Sequence, residues 1–212
     1  MLLTQARKGK LNSSAIGPPM KYNPNKHHRR SIRLKGYDYS AAGAYFITIC
    51  VFQRHCLFGQ VVEGDMQLNE FGQIAAECWQ AIPDHFPHIE LDGWVVMPNH
   101  VHGILVAKDT CRGFALQSPY ANPGDTLQNP LTPVFGKMSS GSISTVIRSY
   151  KSATTKHINT LRDAAGTPVW QRNYYDHIIR DERSLQHMRY YITNNPVTWV
   201  DDQLHPCNPS KW

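Results

Sequence analysis

Paired cysteines, long apolar runs and acidic residues in the first 35 positions are all missing from this chain. Its five cysteines (Cys50, Cys56, Cys78, Cys111, Cys207) are odd in number, scattered and free of any C-x-x-C pair. Neither a disulfide framework nor a zinc ribbon is indicated, and a reducing cytoplasm suits such usage best. No apolar run approaches the ~20 residues of a membrane span. The first residues turn polar and basic at once, unlike a secretory signal, so a cytoplasmic location is the expectation. What the first 35 residues do hold is nine of the 22 lysines and arginines, among them Arg29, Arg30 and Arg33, leaving 13 cations against 16 acids in the rest. A basic arm of about residues 1–36 on a nearly neutral body is the footprint of a protein that grips phosphates, although a solvated tail has the same composition.

At 212 residues and 41% hydrophobic, the chain is long enough for one sizeable core. Tyr45 to Phe52 is β-branched and aromatic, as a strand buried on both faces should be. Short apolar runs around Glu63-Gly64-Asp65 suggest a hairpin. Asn69 is a candidate N-cap for a helix whose apolar residues, from Phe71 to Ile82, recur at helical spacing until Pro83. Residues 88–97 and 100–107 read as two strands joined tightly at Pro98-Asn99. Residues 108–141 are rich in Gly, Pro, Ser and Asn without period and read as an insertion. A helix over Ile143–Leu161, a strand from Tyr174 to Ile179 with Val169-Trp170 before it, and a helix over Leu185–Ile192 complete the pattern. The order is that of an α+β, ferredoxin-like βαββαβ fold: an antiparallel sheet with helices on one face, plus a C-terminal helix. The catalytic domain is expected over residues 37–206, with 207–212 as a tail.

His100-Val101-His102 is the most chemically suggestive triplet. Residues i and i+2 of a strand share a face, so two imidazoles so placed can share one metal ion. A pair of satisfied histidines is the plain alternative, but an apolar strand that carries two of them needs partners for their nitrogens. Tyr150 lies on the apolar stripe of the 143–161 helix, where a core role competes with a nucleophilic one. Arg148, Lys151, Lys156 and Arg162 share that helix with no acid between Ile143 and Arg162, which suits a phosphate chain lying across it.

Met97-Pro98-Asn99-His100-Val101-His102-Gly103, then Ser149-Tyr150-Lys151-Ser152-Ala153, then Trp170 to Arg180 (Trp-Gln-Arg-Asn-Tyr-Tyr-Asp-His-Ile-Ile-Arg) closely resemble the REP-associated tyrosine transposases, relatives of the single-tyrosine insertion-sequence transposases. The resemblance runs from about Arg30 to Pro206 and takes in Asn194-Asn195-Pro196. It implies that His100 and His102 bind a divalent ion, Mg²⁺ or Mn²⁺, and that Tyr150 attacks DNA. Relatives often place an amide ligand at i+4 after the tyrosine. Here that position is Thr154, and His157 one turn on is the other candidate third ligand. The implied partner is single-stranded or hairpin DNA, cut through a 5′-phosphotyrosine, with Arg172 beside the arm and helix cations in contact with it and a homodimer as one possible assembly.

Two other readings remain open at this level. One is a catalytically inactive nucleic-acid-binding module of the same fold, favoured by Thr154 at the ligand position but disfavoured by the lack of an RNA-recognition aromatic signature on the His100–His102 strand. The other is a zinc hydrolase using Asp92 or Asp176, for which no H-E-x-x-H spacing exists.

Overall fold

The computed structural model describes residues 38–108 and 141–208. The basic arm with Arg29, Arg30 and Arg33, nearly all of the expected insertion and the end of the tail lie outside the described residues.

The β-branched and aromatic run forms β1 (Gly43–Cys50), whose middle is buried on both faces. A hairpin of β2 (Gly59–Val62) and β3 (Asp65–Leu68) follows as a separate two-stranded sheet. Helix α1 (Glu70–Gln80) is capped as its sequence predicts, the Asn69 side chain accepting from Gly72 N at 2.9 Å. The apolar period continues to Ile82, but the helix breaks at Ala81 and restarts as α2 (Ile82–His85). Pro83 sits in the first turn of α2, where a missing N–H loses no bond. Then come β4 (Ile89–Met97), β5 (His100–Ala107), α3 (Ile143–Leu161), β6 (Tyr175–Ile179) and α4 (Glu182–Asn194). Asp181 caps α4 by accepting from Ser184 N at 2.7 Å.

Strands β4, β5, β1 and β6 lie in that order with every neighbour antiparallel. Setting the β2–β3 hairpin aside, the sequence β1-α1-β4-β5-α3-β6 in that strand order is the ferredoxin-like fold.

Because side chains alternate across a sheet, β1 and β5 divide the interior in two. Tyr45, Ile47 and Ile49 of β1, with Val101 and Leu105 of β5, pack against Ala75 and Trp79 of α1 and Val146, Ile147, Tyr150 and Ile158 of α3. The approach of α1 is so close that a Cβ on Gly103 would lie 2.2 Å from the Trp79 ring. The opposite face carries Phe46, Ile104 and Ile179, covered by Ile192, Leu185, Met188 and Tyr191 of α4. Arg189 pins α4 to this face, its Nε and one terminal nitrogen donating to the two oxygens of Asp92 at 2.9 and 2.7 Å, beside the register shift between Leu91 and Trp94. The two helices between strands thus share one face, and the C-terminal helix alone covers the other.

Candidate metal centre

His100 and His102 open β5 on the face covered by α4, with ring centroids 4.4 Å apart and both rings buried. Their Nδ1 atoms are already engaged. The Asn99 side-chain nitrogen donates to the carbonyls of Arg54 and Leu204 at 3.1 and 2.8 Å, so its oxygen is the acceptor that faces His100 Nδ1 at 2.8 Å. His100 Nδ1 therefore carries the proton, and its Nε2 keeps a free lone pair. That Nε2 is buried and has no hydrogen-bond partner. His102 Nδ1 meets Thr48 Oγ1 at 2.8 Å, Thr48 being the residue opposite it on β1. Its Nε2 also points into the site.

The remaining walls come from α4 and the turn after it. Tyr191 places its hydroxyl 3.4 Å from His102 Nε2 and 3.4 Å from Asp202 Oδ2. Asn195, at the C-terminal end of α4, donates through Nδ2 to Asp202 Oδ2 at 2.8 Å, while its buried Oδ1 is left without a partner. The amide lies close enough to His100 and Tyr191 to influence the protonation of both, yet no well-formed hydrogen bond joins its oxygen to either. Asp202 is fixed in turn by Leu204 N, which donates to its Oδ1 at 2.6 Å. Trp199 closes the site over His100 at 5.8 Å between ring centroids, and His205 stands against the same indole at 4.8 Å.

Donor atoms of His100, His102 and Asp202 all lie within 4.8 Å of one another. Two unsatisfied buried acceptors, His100 Nε2 and Asn195 Oδ1, belong to the same cluster. Such orphans are costly unless something meets them, and a cation is what two imidazoles, a carboxylate and an amide oxygen would jointly accept. The donors fit a divalent ion of intermediate hardness, with nitrogen and oxygen ligands and no thiolate. Burial pulls His100 down to about 4 against the opposing charge of Asp202. Burial, then the neighbouring His100, pulls His102 well below its usual value. Both imidazoles are therefore neutral at pH 7, the form that binds metals. Burial, reinforced by the Asp202 charge, pushes the Tyr191 phenol well above its ordinary value.

The expectation that Tyr150 converges on the imidazoles is corrected by this geometry. Tyr150 points into the core on the opposite face of the sheet, with its hydroxyl donating to the Ala75 carbonyl at 3.2 Å and its ring against Trp79 and Trp170. Burial pushes its phenol far up. Thr154, the expected third ligand, is buried on that same side and returns its hydroxyl to Tyr150 O at 2.8 Å. His157 is exposed, with Nδ1 3.9 Å from Cys78 Sγ. The sheet lies between all three and the imidazole pair. Arg148, Lys156 and Arg172 are exposed cations, whereas Lys151 is half-buried and donates to the carbonyls of Gln171 and Asn173 at 2.6 and 2.7 Å. Burial draws its ammonium down to about 8, so it stays charged at neutral pH. Tyr191, Asn195 and Asp202 were not among the sequence candidates. The first two carried a signal: an amide at i+4 after a tyrosine, the spacing that Tyr150 and Thr154 fail to supply. Asp202 had none.

No protein-family model matches the chain. An uncharacterized protein of Haemophilus influenzae is 43% identical over 185 residues, covering 87% of this chain and 97% of that protein. A second protein of the same organism, assigned by name to the REP-associated tyrosine transposases, is 22% identical over 160 residues, 76% of this chain and 73% of its own. That second protein carries the name of the family which the motifs around His100, Tyr150 and Trp170 resemble. Among solved structures, a REP-associated tyrosine transposase bound to a REP hairpin aligns with a TM-score of 0.48 at 18% identity over 88% of this chain and 90% of that one.

Proposed function

We propose that this protein is a REP-associated tyrosine transposase, a divalent-metal-dependent enzyme that cuts and rejoins single-stranded DNA, with Tyr191 as the nucleophile. The observation that carries the reading is the Tyr191 hydroxyl, 3.4 Å from both His102 Nε2 and Asp202 Oδ2, in a cluster that holds two unsatisfied buried acceptors. His100, His102, Asn195 and Asp202 would hold the ion. A divalent ion there supplies Lewis-acid stabilisation of the charge that grows on the scissile phosphate.

The rest falls to the chain. Asn99 and Thr48 fix the two imidazoles by their Nδ1 atoms, so the Nε2 lone pairs are oriented before any ligand arrives. Tyr191 loses its proton to water, and its oxygen forms a bond to phosphorus. The bond from phosphorus to the 3′ oxygen breaks, and that oxygen takes a proton from water to leave as a 3′-OH, which balances the proton Tyr191 gave up. The product is a 5′-phosphotyrosine. Since the phosphodiester is exchanged and not hydrolysed, attack by a 3′-OH reverses the step and joins strands without a nucleotide cofactor. All of these side chains come from one chain. Hairpin-flanked DNA as substrate follows from the family resemblance.

The test is an end-labelled single strand carrying a hairpin, incubated with the protein and Mn²⁺ and separated under denaturing conditions. A protein-linked product is expected for the parent and for Tyr150→Phe, and none for Tyr191→Phe or His100→Ala. Undiminished adduct in Tyr191→Phe would remove the proposed nucleophile.

A further inference from the structure

A primary amide offers two N–H donors and an acceptor oxygen in one plane, and Asn99, 1% exposed between β4 and β5, uses all of them. Its donors are spent on the carbonyls of Arg54 and Leu204 at 3.1 and 2.8 Å, and its oxygen faces His100 Nδ1 at 2.8 Å. Its own backbone carbonyl accepts from Val51 N at 2.8 Å, which holds the residue against the end of β1. Three segments far apart in the chain, around residues 51–54, 99–100 and 204, therefore meet at one buried side chain.

Leu204 gives this junction its reach. Its carbonyl receives the Asn99 N–H, while its own N–H donates to Asp202 Oδ1 at 2.6 Å. A continuous run of hydrogen bonds thus leads from the His100 imidazole through the Asn99 amide and the Leu204 main chain to the Asp202 carboxylate. The other short tie on that carboxylate, from Asn195 Nδ2 at 2.8 Å, comes from α4 and does not involve β5. Arg54 also reaches the turn, but its Nη1 meets Gln203 O only at 3.5 Å and in solvent. An aspartate at position 99 would keep the shape and the acceptor for His100, yet it would turn an oxygen toward two carbonyl oxygens.

We infer that Asn99 is a positioning residue that sets the Asp202 carboxylate relative to the His100 imidazole, so that the orientation of one ligand and the placement of the other are a single coupled event. The inference rests on the proposed function for the ion that both would hold, but the coupling belongs to the protein without metal. Such coupling is reciprocal: a change that frees the turn after α4 must also free the ring of His100.

The test combines hydrogen exchange and ¹⁵N NMR of the metal-free protein at neutral pH with calorimetric titration of Mn²⁺. Asn99→Asp is the discriminating substitution, because it adds a negative charge beside the ion: charge alone would tighten Mn²⁺ binding, whereas a lost tether weakens it. The amides of Leu204 and His205, which donate to Asp202, should exchange about tenfold faster in this variant. Mn²⁺ should bind about tenfold more weakly, the lower end of the cost of losing a group that orients a ligand. Asn99→Ala, which buries no charge, should show both losses and should also replace the single Nδ1–H form of His100 by a mixture of tautomers. Asp202→Ala should produce the same mixture, although His100 Nδ1 is bound to Asn99 and not to Asp202. Thr48→Val removes the partner of His102 Nδ1 and should leave exchange at residues 204 and 205 as in the parent. A merely structural Asn99 would lower the melting temperature without moving the His100 tautomer in Asp202→Ala. The inference is overturned by Mn²⁺ affinity in Asn99→Asp equal to or above that of the parent, by turn amides as protected in Asn99→Ala as in the parent, by a single tautomer in Asp202→Ala, or by a turn as loose in Thr48→Val as in Asn99→Ala. If the parent takes up no Mn²⁺, the proposed function fails, and the exchange and tautomer results still decide the coupling.

Discussion

Tyr150 and Tyr191 are both tyrosines on the apolar stripe of a helix, and what separates them is the atom each hydroxyl meets. Tyr150 meets a backbone carbonyl of α1; Tyr191 meets an imidazole and a carboxylate. Tyr150→Phe deletes one buried neutral hydrogen bond, so it should destabilise the protein by about 1 kcal/mol in urea melting while leaving adduct formation intact. A second consequence at this scale is pH dependence. His100 is depressed to about 4 in the folded state, below its ordinary value of 6.5. A depressed folded pKa means that the unfolded chain takes up the proton first. The stability is fully present above pH 6.5 and drains away as pH falls toward 4, on the order of 3 kcal/mol from this residue, with His102 acting in the same direction. Urea midpoints at pH 7 and pH 4.5 measure it, and His100→Gln should flatten the dependence.

At the scale of elements, the local patterns were legible and the choice of sheet face was not. The 3.6-residue stripe predicts α3 at its observed bounds, Ile143–Leu161, because a long helix with one buried face leaves an unmistakable period. The strand carrying His100 and His102 was equally plain, since Pro98-Asn99 fixes its start and its apolar run its extent. Period two also states that the imidazoles share a face. It says nothing about which helix covers that face, and that assignment depends on strand order and crossover, which are properties of the whole chain. For this reason the periods of α3 and β5 pair α3 with His100 and His102, although α4 is the helix that covers them. The short α4 gave a weaker signal, with a predicted span of Leu185–Ile192 against the observed Glu182–Asn194, and its tyrosine passed unremarked. Packing between elements yields its own prediction. Gly103 lets the Trp79 ring lie on β5, and a methyl there would sit 2.2 Å from a ring atom that is fully buried. Gly103→Ala should cost about 2 kcal/mol by thermal or urea melting, the range of an overpacked core.

For the whole molecule, the sheet separates the larger core from the candidate metal centre. The α1–α3 side holds the larger core, and the α4 side gathers His100, His102, Tyr191, Asn195 and Asp202 from β5, α4 and the following turn. Because the proposed ligands come from segments about 100 residues apart in the chain, an ion bound to them would tie the turn after α4 to the centre of the sheet. Binding to the folded state alone should therefore raise stability by about 2.7 kcal/mol when Mn²⁺ is at 100 times its dissociation constant. Calorimetric melting with and without Mn²⁺ should show this rise in the parent and its absence in His100→Ala.

The most direct test of the account is to locate the covalent link. The adduct formed by the unmodified protein on a hairpin-flanked strand is digested, and the peptide that retains the nucleotide is fragmented in the mass spectrometer. The link should lie on Tyr191, distinguished from its exposed neighbour Tyr190 by the fragment ions. A nucleotide attached to Tyr150, or to any residue on the α1–α3 side of the sheet, would contradict it.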